Sequence, residues 1–235
     1  AGLLHTLGDY SLELLPDPLR TTFIERLSVL YQNDPSSSIH SSVGWLLRRW
    51  NYTDELAKVD QTPVPYDPTG KRDWFTLEIK VASEFSDEPE HNPVLHFTFV
   101  VFPPGEYSIG SFLDDAKRSA DEVRHQVKLT RRFAVCDREL TWKQYDPIDL
   151  ADTHIAWSNQ FERRLGKDEP VFGRSWFHAI SYCRWLTKQA NRREEEQAYD
   201  SPEKLGYDQN RNPKYKRIYL DRPGFRLLTE AEWEV

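Results

Sequence analysis

The sequence of 235 residues contains no methionine and only two cysteines, Cys136 and Cys183. The two cysteines form no CxxC pair, so the sequence indicates neither a zinc knuckle nor a scaffold of several disulfides. A reducing compartment fits this cysteine usage and we expect a cytoplasmic protein, while a single disulfide stays open as the alternative. Because an initiator methionine is lacking as well, we expect the chain to be a piece of a longer protein.

Long apolar runs and clustered positive charge are also lacking. No run approaches the roughly 18 residues that a membrane span needs, and no signal-peptide pattern opens the chain. Lys and Arg number 31 against 38 Asp and Glu, which gives a net charge of -7. A surface that binds nucleic acid needs clustered Lys and Arg, and pairs such as Arg48-Arg49 are too short to provide one. The sequence therefore predicts neither a membrane span nor a nucleic-acid partner.

Common catalytic motifs are lacking too, because no GxGxxG, GxxxxGK[ST], HExxH or GxSxG pattern occurs. The seven histidines have no metal-ligand spacing. His178 lies beside an apolar helical stripe, which favours a structural role, and Cys183 on that stripe is expected to be a buried, unreactive thiol. The same interpretation applies to Cys136 in strand-like sequence. We therefore predict no catalytic, cofactor-binding or metal-binding residue in this chain.

Apolar residues at helical spacing dominate residues 1–60. The Asp17-Pro18 and Asp34-Pro35 pairs are typical helix starts. Apolar residues follow at helical spacing, including Leu19, Phe23, Leu27 and Tyr31, and Leu3, Leu4 and Leu7 of an earlier helix are expected to face inward. Helices joined by Asp-Pro turns are similar to a HEAT-like repeat, and an ordinary helical preface is the alternative.

Residues 61–72 contain three prolines and a glycine, which predicts a linker. The stretches 73–81 and 97–102 predict strands, and residues 127–135 predict a further strand or a pair of strands. The domains are therefore expected at residues 1–60 (helical), 61–72 (linker) and 73–235, in an α+β fold.

The last part of the chain predicts two helix starts. Ser175 is expected to cap a helix that buries Trp176 and Cys183 on one face. Thr229 and Glu232 have the spacing of a capping box, after which Trp233 is expected to face the core. The polar stretch 191–222 between them is predicted to lie outside the core.

Four short motifs follow one another in this second part. They read PPGEYSIGS at 103–111, RELTWKQY at 138–145, PVFGRSW running into AISYCRWL at 170–186, and FRLLTEAEWE at 225–234. In this order they resemble the formylglycine-generating enzyme family, the sulfatase-modifying-factor domain. Its members read roughly P-x-G-x-F-x-M-G-S, E-V-T-x-x-x-Y, P-V-x-x-V-S-W-x-x-A-x-x-Y-C-x-W and Y-R-L-P-T-E-A-E-W-E.

The resemblance covers residues 97–235 and implies the N-terminal part of a loop-rich α+β fold related to C-type lectins. It implies structural roles for Gly110, Glu139, Trp176, Cys183, Arg226, Thr229, Glu232 and Trp233. True members are copper- and oxygen-dependent oxidases that convert a sulfatase cysteine to formylglycine. Their copper-holding cysteine pair lies in the C-terminal half of the domain, past the position that matches Val235, and Cys183 matches a position that is not a copper ligand.

The sequence departs from the family pattern at Ile109, Leu140 and Leu228, which replace Met, Val and Pro. Family enzymes carry a Trp-rich, substrate-side segment where residues 146–169 have only Trp157. Residues 31–50 are similar to a segment that precedes this domain in large bacterial proteins, several of which begin with a Ser/Thr kinase.

Two functions follow from these motifs and departures. The first is a non-catalytic or regulatory binding module for a protein or peptide partner, without a cofactor, in a larger multidomain bacterial protein. The second is the front half of a copper-dependent formylglycine-generating oxidase.

Overall fold

The computed structural model describes residues 2–82, 93–148, 166–201, 208–209 and 218–235. Its helices and strands, in chain order, are α1 (Gly2–Leu7), α2 (Asp17–Asn33), α3 (Ser37–Arg49), α4 (Thr53–Val59), β1 (Trp74–Lys80), β2 (Val94–Phe102), β3 (Gly105–Ile109), β4 (His125–Leu129), β5 (Phe133–Cys136), α5 (Trp142–Tyr145), α6 (Trp176–Gln189) and α7 (Glu230–Trp233). The fold class is α+β, as predicted. Within the described ranges, no helix is both long enough and apolar enough to cross a membrane.

The chain divides into two compact units. The first consists of Ala1–Glu78, Phe97–Pro104 and Arg131–Arg138, and the second of Ile79–His96, Gly105–Thr130 and Glu139–Val235. The first unit therefore includes residues on both sides of the expected linker. Whether the chain separates near residues 61–72 in solution stays a prediction.

Helices α2 and α3 supply most of the core of the first unit. Their buried side chains include Leu27 and Tyr31 on α2 and Val43 and Leu47 on α3, with Leu56 of α4 added. This stripe follows the helical spacing of the apolar residues, so the prediction for these helices is confirmed.

Leu3 and Leu19, both predicted on the inward face, are exposed, and this part of the prediction is wrong. Both residues lie in the first turn of their helices, and the buried residues of α2 begin only at Ile24. Spacing alone identifies the face of a helix but not the turn at which its neighbours begin to cover it.

The segment 61–72 is fastened by hydrogen bonds rather than extended and free. The Val64 N–H donates to Thr76 Oγ1 (2.7 Å) and the Thr76 N–H donates to the Val64 carbonyl (2.8 Å). The Asp67 carboxylate accepts the N–H groups of Thr69 and Arg72 (2.9 and 3.0 Å). These bonds satisfy backbone groups in a stretch where prolines rule out regular structure.

Arg72 joins this segment to the end of helix α2. Its guanidinium donates to the carbonyls of Gln32, Asn33 and Asp34 at 3.4, 3.0 and 3.1 Å. Carbonyls at a helix C-terminus lack partners within the helix, and a basic side chain there satisfies them. Arg72 thus closes the C-terminal end of α2.

The strands form a three-stranded sheet in the order β1-β2-β5 and a two-stranded sheet, β3-β4. Strand β2 pairs with β5 in antiparallel fashion, with Phe102 opposite Phe133. Strand β3 pairs with β4 so that Ile109 lies opposite His125. The predicted strands are confirmed, and the stretch 127–135 is a pair of strands rather than one.

Residues 197–201 enter the core of the second unit, which corrects the prediction that the whole stretch 191–222 lies outside it. Ala198 and Tyr199 are fully buried against Ile180 and Cys183 of α6. Beside them, the Gln197 side-chain nitrogen donates to the Arg184 carbonyl (3.0 Å). The five charged residues 192–196 make the stretch polar on average, so the buried residues that follow were not recognised from the sequence.

Candidate functional site

The last motif, residues 225–234, is built around a buried carboxylate. Thr229 accepts the Glu232 N–H through Oγ1 (3.3 Å), and Glu232 Oε2 accepts the Thr229 N–H (3.0 Å). The predicted capping box is therefore confirmed. The same carboxylate is paired with Arg226 through two bonds of 2.6 and 2.7 Å, a bidentate arrangement.

Burial of Glu232 opposes its ionisation, but the two bonds from Arg226 and the Thr229 N–H outweigh it and lower the pKa of Glu232 to about 2. The Arg226 guanidinium also donates to the Leu227 carbonyl (3.0 Å). Glu232 is therefore ionised at neutral pH and holds the start of α7. A general acid or base needs a pKa near the working pH, which this carboxylate does not have.

Gly110 connects the first motif to the last one. Its N–H donates to Glu234 Oε2 (2.8 Å), across 124 positions of sequence. Its φ is 90°, a region that favours glycine. A Cβ at this position would lie 2.7 Å from the Val123 carbonyl oxygen, closer than carbon and oxygen can approach without a shift. The glycine is required by both the backbone conformation and the lack of space.

Thr187 connects the third motif to the last one. Its hydroxyl donates to the Cys183 carbonyl (2.7 Å) and accepts the Phe225 N–H (2.9 Å). The Tyr199 hydroxyl accepts the Leu227 N–H (3.1 Å) next to this contact. Cys183 is buried in the same core, as predicted, and its role there is packing.

The second motif pairs with the third. The Val171 N–H donates to the Leu140 carbonyl (2.8 Å), and the Tyr182 hydroxyl donates to the Gln144 carbonyl (3.1 Å). The rings of Tyr145 and Tyr182 stack with centroids 5.3 Å apart. All four motifs are thus connected within the second unit.

Ser175 and His178 form the cap of helix α6. Ser175 Oγ accepts the His178 N–H (3.4 Å), and the Ser175 N–H donates to His178 Nδ1 (3.3 Å). The two side chains also meet, with Oγ and Nδ1 2.8 Å apart. This Ser-His contact is a capping box with histidine at the third position, which agrees with the predicted structural role of His178.

Two of the predicted core residues are exposed. Trp176 is 47% exposed and Trp233 is 76% exposed, so both predictions of burial are wrong. Trp176 occupies the first position of α6, and the buried stripe of that helix begins one turn later at Ile180. In α7 the buried residue is Glu232, so its neighbour Trp233 turns outward. Glu139 is exposed as well.

Three structural residues were missed by the sequence analysis: Thr187, Tyr199 and Glu234. Thr187 lies four residues after Cys183 and continues the apolar stripe, a signal that spacing could have provided. Tyr199 was hidden by its charged neighbours. The partner of Glu234 is a backbone N–H distant in sequence, which no local pattern identifies.

Among the described residues, no three His, Cys, Asp or Glu side chains cluster closely enough to hold a metal ion. Cys183 is buried, but Cys136 is exposed, so the prediction of a second buried thiol is wrong. Successive side chains of a strand point to opposite faces, and with Phe133 buried, Cys136 three positions later lies on the other face of β5. Trp157, the one tryptophan in the segment where family enzymes are Trp-rich, lies outside the described residues.

A family model of the sulfatase-modifying factor enzyme 1-like domain matches residues 85–235. No curated protein matches the chain. Among solved structures, PvdO from Pseudomonas aeruginosa is similar at 19% identity with a TM-score of 0.32. That match covers 48% of this chain and 52% of the PvdO chain, so it spans about half the length of its neighbour.

Proposed function

The chain belongs to the sulfatase-modifying factor enzyme 1-like domain family over residues 85–235, and within that family we propose that it works as a non-catalytic or regulatory binding module. Its partner would be a protein or a peptide. The module would be part of a larger multidomain bacterial protein of the cytoplasm, in which α1–α4 belong to a HEAT-like helical array and the second unit to a lectin-related scaffold.

The observation that carries this proposal is the structural use of the motif residues. Arg226 and Glu232 neutralise each other in a buried pair, Gly110 is bonded to Glu234, and Cys183 is packed in the core. The polar groups of these residues are already bonded within the protein, so they are not available to bind a substrate. Fold membership alone assigns no chemistry, because function depends on the site and not on the scaffold.

Three large aromatic side chains of the second unit are exposed and available to a partner. Trp176, Trp233 and Phe112 are exposed in the second unit, Phe112 by 63%. Aromatic residues are enriched where proteins bind one another. These three side chains support a protein or peptide partner.

The second candidate function is the front half of a formylglycine-generating oxidase, which the ordered series of four motifs favours. Cu(I) prefers thiolate and thioether ligands, and this chain has no methionine. Of its two thiols, Cys183 is enclosed in the core. The residues of this chain do not fit a copper site, so no step of that reaction is assigned to them.

The test compares the full-length parent protein with this chain. Each is incubated with Cu(I), oxygen and a cysteine peptide that carries the sequence around a sulfatase active-site cysteine, and aldehyde formation is followed with a hydrazide probe. The binding-module proposal predicts no aldehyde from either protein. Aldehyde from the parent alone would favour the oxidase, with its reactive residues outside this chain.

A further inference from the structure

We propose that His40 makes the packing of the first unit sensitive to acid. Its neutral ring holds helices α2 and α3 against strand β1, and protonation of the ring loosens that packing. The site is separate from the family motifs and independent of the proposed function.

The geometry around His40 is a sandwich of three rings. The residue is 3% exposed and lies on helix α3. Its ring stacks on Tyr31 of α2 with centroids 4.2 Å apart, and on Trp74 of β1 with centroids 3.8 Å apart. One imidazole therefore connects three elements, and a change in its charge alters the packing of all three.

The hydrogen bond of His40 defines its neutral form. Nδ1 lies 2.7 Å from the Tyr31 carbonyl oxygen, and a carbonyl only accepts, so Nδ1 carries the proton. A second proton would therefore have to enter at Nε2. The polar groups of the stacking partners are engaged, since the Tyr31 hydroxyl donates to Asp60 (2.9 Å) and Trp74 Nε1 donates to the Asp34 carbonyl (2.8 Å).

Charged groups surround this sandwich on several sides. Asp60 follows α4 and Asp137 follows β5, and both carboxylates favour a cationic ring. Arg138 opposes it, and this guanidinium is paired with Asp137 through bonds of 3.0 and 2.7 Å, which offsets that carboxylate. Just before β1, the Arg72 guanidinium lies 4.8 Å from the Trp74 ring centroid, which places a further positive charge beside the sandwich.

Two carboxyl groups at the N-terminal side of the sandwich are already engaged. Asp73, which precedes β1, accepts the Ser37 N–H through Oδ1 (2.5 Å). Asp34 accepts the Ser36 N–H through Oδ1 (2.9 Å) at the start of α3. Both hydrogen bonds fix the turn before α3. These carboxylates therefore accept backbone N–H groups and do not form an ion pair with a protonated His40.

Desolvation is the largest influence on His40 and it lowers the pKa, while the Tyr31 carbonyl and the two carboxylates only partly oppose it. A folded-state pKa below the unfolded value of about 6.5 means that the unfolded chain binds the proton more readily. Stability is therefore fully present above about pH 6.5 and falls as the pH drops from there towards the folded-state pKa.

The test follows the His40 ring of the intact chain by NMR, from pH 8 to pH 4.5. Hydrogen exchange of α2, α3 and β1 is measured at pH 7.5 and 5.5, after correction for the intrinsic exchange rate. We expect His40 to titrate below about 6.5, the ordinary value for a histidine, and these elements to lose protection at pH 5.5. The titration needs no variant and remains decisive if a substitution impairs folding.

Two variants distinguish the effect of His40 protonation from the effect of acid on other groups. His40→Asn keeps a donor near the Tyr31 carbonyl but cannot titrate, so its loss of protection at pH 5.5 should be smaller than that of the wild type. His5→Asn is the matched control, because His5 also stacks on a tryptophan, Trp45, with centroids 4.7 Å apart. The control should retain the wild-type pH response.

The proposal is overturned if His40 titrates at or above about 6.5, or if α2, α3 and β1 keep their protection at pH 5.5. An equal loss of protection in wild type and His40→Asn would also overturn it, since the response would then come from another group.

Discussion

At the scale of single residues, the Arg226–Glu232 ion pair is the main buried interaction between charged groups in the last motif. Both side chains are largely buried, with Glu232 at 2% and Arg226 at 11% exposed. Replacing one partner leaves the other charge uncompensated, and that loss exceeds the net contribution of the pair itself. The start of α7 therefore depends on Glu232, and Glu232 depends on Arg226 to compensate its buried charge.

The first prediction concerns this pair. Arg226→Met should lower the free energy of unfolding by about 3 kcal/mol at pH 7, the lower end for a broken buried pair. The wild type should lose stability as the pH falls from about 4.5, the ordinary value of a free carboxyl, towards about 2, because the folded-state pKa of Glu232 is depressed. Urea unfolding at pH 7 and pH 3 measures both effects. Glu230→Gln on the same helix is the exposed control, and an equal cost in the two variants would contradict the assignment.

The second prediction concerns Gly110. Gly110→Ala should cost about 1–3 kcal/mol, because alanine is strained at a φ of 90° and its Cβ would press on the Val123 carbonyl. Gly2→Ala is the matched control, since its Cβ would meet nothing within 4 Å. Thermal unfolding of both variants gives the comparison. A Gly110→Ala variant as stable as the control would show that the turn does not need glycine.

The third prediction concerns the buried thiol. In a Cys136→Ser variant Cys183 is the one remaining cysteine, and it should resist iodoacetamide under native conditions while reacting fully in urea. Mass spectrometry gives the labelled fraction over time. Rapid labelling of the folded protein would mean that α6 presents this side of the helix to solvent.

At the scale of elements, local patterns were sufficient wherever the structure is built from neighbours in sequence. The capping residues Ser175 and Thr229 were identified from spacing alone, because a helix cap involves residues three positions apart. Strand β2 was recognised because a β-rich run at 97–102 ends at the Pro103-Pro104 pair.

Local patterns failed where burial depends on distant partners. Trp176 and Trp233 have the size and spacing of core residues, yet both are exposed. Trp176 occupies the first position of α6 and Trp233 the last position of α7. Tyr199 is buried in a stretch that reads as polar. Helical spacing identifies a face, whereas burial depends on what the tertiary fold places against it.

The fourth prediction concerns the segment 61–72. Trypsin should cut the Arg72→Gln variant after Lys71 faster than the wild type, because the substitution removes the donor to the end of α2. Arg118→Gln is the control, since Arg118 also follows a lysine and donates through Nε to a backbone carbonyl (3.3 Å). Equal rates of cleavage after Lys71 in the wild type and in Arg72→Gln would contradict this role of Arg72.

At the scale of the whole molecule, the four motifs are connected to one another inside the second unit. The contacts run from Gly110 to Glu234, from Thr187 to Phe225, and from Leu140 to Val171. The order of the motifs along the chain was enough to identify the family, but the sequence could not reveal these cross-connections. They explain why residues so far apart carry one family pattern: each motif supplies a hydrogen-bond partner for another.

Copper binding by the chain tests the central claim most directly, because the claim is that these motif residues build a scaffold rather than a copper site. Reduced protein is titrated with Cu(I) against a competing chelator, with Cys136→Ser alongside to detect uptake by the exposed thiol. Cu(I) needs soft sulfur ligands, and the chain offers two cysteines and no methionine. We predict no stoichiometric uptake by either protein. Tight uptake of one Cu(I) per chain, retained in Cys136→Ser, would contradict the account.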